Sequence, residues 1–226
     1  MKLKKPFPGI FHIECKDQYE LTSTFCRLQE FYESPSKKLK NQIFDMEEFM
    51  DAYAKLAGDM TYFTDWNGFN IPGHIVDQFV ELQGWDLRLK EEIFADISGA
   101  NDPTDFGGVR IPYYVIGTHK KRNDCYEHEL CHAFFYLDKV YKVRVIDLVN
   151  GLQQEKPKVY NKVKKWLLKN GYSKPVLVDE INAYMATSGK KWLEKNIPGV
   201  YYYTKMFEQA YKLERKEFSG YGGGYS

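Results

Sequence analysis

The sequence has few cysteines, no long apolar run and almost no net charge, and each absence excludes a class of protein. Its four cysteines form no Cys-x-x-Cys pair, which argues against a thiolate zinc knuckle and a dithiol redox motif. No stretch is long enough to span a bilayer, and no apolar run of a signal peptide follows the basic N-terminus. We therefore expect a soluble, cytoplasmic protein with reduced thiols and no membrane partner.

The balance of charge argues against a nucleic-acid partner. There are 32 Lys and Arg against 31 Asp and Glu, so the chain has no bulk charge with which to attract a polyanion. The most basic stretch contains seven lysines between positions 156 and 174, interleaved with Trp166, Leu167 and Leu168. This pattern favours a solvated helix face over a nucleic-acid site.

The chain is long enough for one domain with its own core. With 226 residues, of which 43% are hydrophobic, we expect a single domain over residues 1–217. Its N-terminal half, to about residue 141, is predicted to mix helices and strands, and residues 142–217 are predicted to be helical. The Gly- and Tyr-rich residues 218–226 are predicted to form a flexible tail.

The pattern of apolar residues predicts an α+β fold. Val109–Gly117 is β-branched and aromatic and predicts a strand, and Pro112, which has no N–H to donate, places that strand at the edge of a small sheet packed on the helix that follows. Helices are predicted over Leu39–Leu56 with a stop at Gly58, Ile75–Ile97 with an interruption at Gly84, Asn123–Tyr141, Pro157–Asn170, Pro175–Thr187 and Tyr201–Glu214.

One short motif, His128-Glu129-Leu130-Cys131-His132, carries metal chemistry. Two histidines four positions apart on a helix differ by about 40° in direction, so both imidazoles reach one ion. Glu129 is rotated by about 100° from His128, a position from which a general base reaches a metal-bound water. Zinc lowers the pKa of such a water to about 7 and makes it a usable nucleophile.

The residues around the motif favour a metal site over a chance occurrence of the pattern. Leu130, Cys131, Ala133, Phe134 and Phe135 make the helix apolar nearly all round, which predicts burial. Two imidazoles and a carboxylate in a buried helix are unfavourable unless they are paired. We therefore predict a bound Zn2+ with His128 and His132 as ligands and Glu129 as the catalytic base.

The motif, with a strand before it and helices after it, resembles the zincin metallopeptidases over Val109–Thr187. A metzincin pattern would have a glycine at position 135 and a histidine at position 138, whereas this chain has Phe135 and Asp138. Asp138 also points away from the face that carries His128 and His132, so we interpret it as a carboxylate at the helix end.

Glu180 is the predicted third metal ligand. It lies between Leu177 and Tyr184 on the apolar stripe of its helix, and a buried acid needs a partner. A glutamate on a later helix is similar to the gluzincin arrangement, although gluzincins have an acid where this chain has Tyr184. Asp179 and Asn182 are predicted to hold a ligand histidine by its second ring nitrogen.

The resemblance implies a zinc-dependent metallopeptidase that acts on a polypeptide or peptide. In zincins an extended substrate pairs with an edge strand, a role that Val109–Gly117 would fill. Tyr184 is the first choice for stabilising the oxyanion, followed by His74 and His119. Two alternatives stay open: a zinc amidohydrolase or deformylase-like enzyme on a small substrate, and a non-catalytic zinc-containing interaction protein.

Overall fold

Four strands form one mixed sheet in the computed structural model, which describes residues 1–101, 111–120 and 123–221. The strands are β1 (Lys2–Phe7), β2 (Ile10–Cys15), β3 (Gly68–Pro72) and β4 (Tyr114–His119). Their order across the sheet is β1, β2, β4, β3. Strands β2 and β4 are parallel, and the outer strands β1 and β3 pair antiparallel with them. The mixed α+β class predicted from the sequence is confirmed.

The predicted edge position of the strand before the motif is wrong. Strand β4 lies between β2 and β3, and all six of its residues are buried. It begins at Tyr114, so Pro112 precedes the strand and its missing N–H removes no ladder hydrogen bond. Val109 and Arg110 lie outside the described residues.

Helices make up most of the remaining described chain. They are α1 (Gln18–Glu33), α2 (Met46–Ala57), α3 (Tyr62–Asp65), α4 (Gly73–Gln83), α5 (Glu92–Gly99), α6 (Asn123–Leu137), α7 (Lys139–Glu155), α8 (Pro157–Lys169), α9 (Leu177–Thr187), α10 (Lys190–Asn196) and α11 (Lys205–Tyr221). Short 3-10 turns cover Gly84–Asp86, Lys174–Val176 and Tyr201–Tyr203. In the described ranges we find no helix with the length and hydropathy needed to cross a membrane.

Capping residues decide where the predicted helices begin and end. Helix α2 begins at Met46 rather than Leu39, because Asp45 and Glu48 form a reciprocal capping box. It ends at Gly58, as predicted, and that glycine has a φ of 85°. Gly84, with a φ of 50°, ends α4 and confirms the predicted interruption.

The chain divides into two compact units, a first unit of residues Met1–Tyr126 and a second unit that begins at Glu127. The core of the first unit is aromatic: the Phe25 ring stacks on Phe69 at 5.0 Å and meets the edge of Phe94 at 5.2 Å. A Cβ atom at Gly117 would lie 2.5 Å from the Phe25 ring, so β4 requires glycine at this point of contact with α1.

Among its described residues the second unit contains helices and 3-10 turns but no strand, as predicted for the C-terminal half. Helix α6 ends at Leu137 because Asp138 is extended and caps the next helix, α7, by accepting a hydrogen bond from the Tyr141 N–H at 2.7 Å. Helix α7 begins within the predicted helix Asn123–Tyr141, and no separate helix with its bounds was predicted.

The last helix, α11, is longer than the sequence pattern predicts. It continues to Tyr221, and the Phe218 ring packs 4.7 Å from the ring of Phe134. The first four residues of the predicted flexible tail therefore belong to the helix, while residues 222–226 lie outside the described residues.

Candidate metal centre

Helix α6 holds both motif histidines on one face. The Nε2 atoms of His128 and His132 are 3.2 Å apart, and the rings meet edge to face. The side chain of His132 is 3% exposed and that of His128 is 18% exposed. The i, i+4 spacing thus brings two nitrogen donors to one point on α6, and this helix is buried along most of its length.

Glu180, in the first turn of α9, brings a carboxylate to the same point. Its Oε1 lies 3.7 Å from His132 Nε2, and its Oε2 lies 3.8 Å from His128 Nε2. These three residues each offer a donor atom within 4.8 Å of the others, and among the described residues they are the one group of three or more suited to hold a metal ion. The predicted cluster is therefore present.

The spacing of the donors fits a small divalent cation. Zinc–nitrogen bonds of about 2.0–2.1 Å in a tetrahedral site place neighbouring ligand atoms about 3.3–3.4 Å apart. The two Nε2 atoms, 3.2 Å apart, lie close to that value, and each oxygen of Glu180 lies 3.7–3.8 Å from one of them. Two imidazoles and one carboxylate would leave the fourth position of a tetrahedral ion open.

Asp179 contacts the ring nitrogen of His132 that does not face the other donors. Its Oδ2 lies 2.9 Å from His132 Nδ1, so the proton of the neutral ring is fixed on Nδ1 and the lone pair of Nε2 faces His128 and Glu180. Burial opposes protonation of this ring, but the carboxylates of Asp179 and Glu180 raise the pKa of His132 to about 10. The site favours a positive charge, which a metal ion would supply.

Glu129, which follows His128 on α6, is buried, with 8% of its surface exposed. It is absent from the donor group formed by His128, His132 and Glu180. Its carboxylate is nevertheless close enough to help raise the pKa of both His132 and Tyr172. The position suits a base that acts beside a metal ion rather than one that ligates it.

Asn182 does not hold a ligand histidine as predicted. Its side-chain amide donates to Cys131 Sγ at 3.0 Å and lies 3.2 Å from the Tyr141 hydroxyl, and all three side chains are fully buried. Burial raises the pKa of the Cys131 thiol, and its sulfur contacts Asn182 and Tyr141 and is not part of the donor group. The three groups tie α6, α7 and α9 together behind the donors.

Two tyrosines lie beside the donors, and the sequence singled out one of them. The ring of Tyr184 contacts the edge of the His128 ring at 4.7 Å, and its hydroxyl lies 2.7 Å from the hydroxyl of Tyr172. Burial, followed by the negative charges of Glu180 and Glu129, raises the pKa of Tyr172. With 18 tyrosines in the chain and no regular spacing to the motif, nothing in the sequence distinguished Tyr172.

The remaining site predictions concern Asp138, His74 and His119. Asp138 caps α7, which agrees with its interpretation as a helix-end carboxylate. His74, in α4, and His119, in β4, belong to the first unit, whereas every residue of the donor cluster belongs to the second.

The chain matches no protein-family model, no curated protein and no solved structure.

Proposed function

We propose that the protein is a zinc metallopeptidase that hydrolyses peptide bonds in a polypeptide or peptide substrate. The observation that carries this proposal is the convergence of His128, His132 and Glu180, with Glu129 on the same helix as the two histidines. On this proposal the motif is zincin-like, and Glu180 is similar to the third ligand of gluzincins, although Tyr184 takes the place of their acid four residues later.

The chemistry of the donors supports zinc as the metal. Imidazole nitrogens suit transition metals rather than magnesium or calcium, and two histidines with one glutamate are a common set for catalytic zinc. Three protein ligands leave one position for water or substrate, whereas structural zinc sites have four protein ligands. The buried Cys131 is not part of the donor group, since its sulfur contacts Asn182 and Tyr141.

Different side chains have different catalytic roles in this proposal. When bound, zinc would act as a Lewis acid and lower the pKa of a coordinated water to about 7. Glu129 accepts a proton from the attacking water and delivers it to the leaving amine. The paired hydroxyls of Tyr172 and Tyr184 supply a hydrogen bond to the oxyanion of the tetrahedral intermediate.

The experiment that tests this function is the substitution Glu129→Gln. It keeps the size of the side chain and removes the base, so zinc content should be unchanged while kcat/KM for peptide cleavage falls by roughly a thousandfold. Glu155→Gln, an exposed change at the end of α7, is the matched control and should keep full activity.

The substrate panel should contain a peptide library and a set of small amides that includes N-formyl peptides. Retention of full activity by Glu129→Gln would remove Glu129 from the mechanism. Turnover of small amides alone would favour a zinc amidohydrolase or deformylase-like enzyme over a peptidase. A zinc-loaded protein that hydrolyses none of the panel would favour a non-catalytic role.

A further inference from the structure

Helix α8 carries a one-sided row of positive charge. Lys158, Lys162, Lys165 and Lys169, named here the basic face, follow one another at spacings of four, three and four residues, and all four are exposed. The helix contains no acidic residue, and its first turn has none to favour the helix dipole. Like charges at these spacings repel, so the face by itself destabilises the helix.

The charges of the basic face are not neutralised within the described residues. No carboxylate there forms an ion pair with any of the four lysines, and the Lys162 ammonium donates instead to the carbonyl oxygen of Pro198. The second unit as a whole has 17 Lys and Arg against 11 Asp and Glu, whereas the first unit has 15 against 20. The near-neutral total charge therefore hides a basic second unit.

Helix α8, which carries the basic face, packs through Trp166 against a neighbour of the donor cluster in the same unit. Trp166 is placed between Lys162 and Lys169 on α8, and its ring meets the edge of the Tyr184 ring at 5.1 Å. Tyr184 in turn contacts His128, and its hydroxyl bonds to the hydroxyl of Tyr172, which follows shortly after α8 ends. A chain bound at the metal centre would therefore pass close to this helix.

We propose that the basic face binds acidic residues of a polypeptide substrate, outside the peptide bond that is cleaved. The inference rests on the proposed peptidase function for the identity of the partner and on charge complementarity for its chemistry. An acidic polypeptide fits better than a nucleic acid, because nucleic-acid sites commonly stack bases on aromatic rings. The aromatic residue beside this face, Trp166, packs against Tyr184 and Trp192 and is not a free platform for stacking.

Peptide binding to the full-length Glu129→Gln protein tests the proposal without cleavage. The probes are a fluorescent Glu-rich peptide of about twelve residues, the same peptide with Gln in place of Glu, and a single-stranded oligonucleotide of equal length. The protein should bind the acidic peptide roughly tenfold more tightly than the neutral one at low salt, and added salt should erase the difference, because exposed ion pairs are individually weak and screened.

Two matched four-lysine variants test whether the preference for the acidic peptide comes from the lysines of α8. Replacing all four lysines of the basic face by Gln should abolish the preference for the acidic peptide. Replacing four exposed lysines of the first unit, Lys37, Lys38, Lys40 and Lys55, by Gln changes the net charge equally and should preserve it. Circular dichroism of both variants verifies that the helices remain.

Several outcomes overturn the basic face as an acidic-peptide site. These are equal binding of the acidic and neutral peptides, equal losses in the two four-lysine variants, and tighter binding of the oligonucleotide than of the acidic peptide. The proposed function fails separately: if the acidic peptide binds through α8 but the unsubstituted, zinc-loaded protein cleaves neither peptide, the peptidase assignment falls and the binding surface stands.

Discussion

The two units bury polar side chains in different arrangements, an ion pair in the first and a group of possible metal donors in the second. In the first unit Arg27 and Glu91, 3% and 0% exposed, form an ion pair at 3.4 Å, and Arg88 adds a second contact to Glu91 at 2.5 Å. In the second unit the buried His132 converges with His128 and Glu180, and one donor atom of each lies within 4.8 Å of the others. The Arg27–Glu91 pair neutralises its own charges, whereas the donor cluster of the second unit is suited to hold a cation.

This difference distinguishes a polar cluster that stabilises the fold from one that binds a metal or acts in catalysis. Removing one partner of a buried ion pair leaves an uncompensated charge, and the fold loses stability. A cluster of imidazole and carboxylate donors that converge on one point should lose metal binding or catalysis instead. Substitutions in each unit should therefore change different measurements.

The largest expected effect on stability is in the first unit. Glu91→Gln leaves the buried guanidinium of Arg27 without its charged partner, so the free energy of unfolding should fall by about 3 kcal/mol. Chemical denaturation measures the loss, with Glu92→Gln as the exposed neighbouring control. Zinc affinity of the folded protein should not change. An unchanged unfolding free energy would contradict the structural role of the pair.

The tyrosine pair should affect catalysis and leave stability nearly intact. Tyr172→Phe and Tyr184→Phe are each expected to lower kcat by roughly a hundredfold with little change in KM, because a lost oxyanion donor acts on the transition state. Since the hydroxyls are bonded to each other, the double variant should be scarcely worse than either single one. Tyr202→Phe, 75% exposed, is the control. Strictly additive losses would contradict a shared role.

Asp179 should produce the smallest effect, on metal affinity. Asp179→Asn replaces the carboxylate that orients His132, so the zinc dissociation constant should rise roughly 10–100-fold. Competition with a coloured chelator measures the change, and Asp147→Asn on the exposed side of α7 provides the control. Equal zinc affinities of Asp179→Asn and the unsubstituted protein would show that the 2.9 Å contact does not orient the ligand.

Local periodicity explains which parts of the cluster the sequence predicted. His128, Glu129 and His132 share one helix, so their spacing fixes their mutual directions. Glu180 stood out because a carboxylate on an apolar stripe needs a partner. Tyr172 had no such signal, because its place beside Glu129 and Glu180 depends on how the segment between α8 and α9 packs.

Non-local pairing and capping explain the errors in the fold. The interior position of β4 depends on β3, which precedes it by more than forty residues and pairs with it antiparallel. The sequence around Pro112 contains no information about that partner. The boundary between α6 and α7 depends on the extended backbone of Asp138, which interrupts a pattern that reads as one continuous helix.

The central claim is that His128, His132 and Glu180 bind one zinc ion, and metal content measures it most directly. The unsubstituted protein, dialysed after exposure to Zn2+, should contain one zinc per chain, and so should the control His74→Ala from the first unit. His132→Ala and Glu180→Ala should each lose the metal while remaining folded. An unsubstituted protein without zinc, or full zinc content in both ligand variants, would contradict the account.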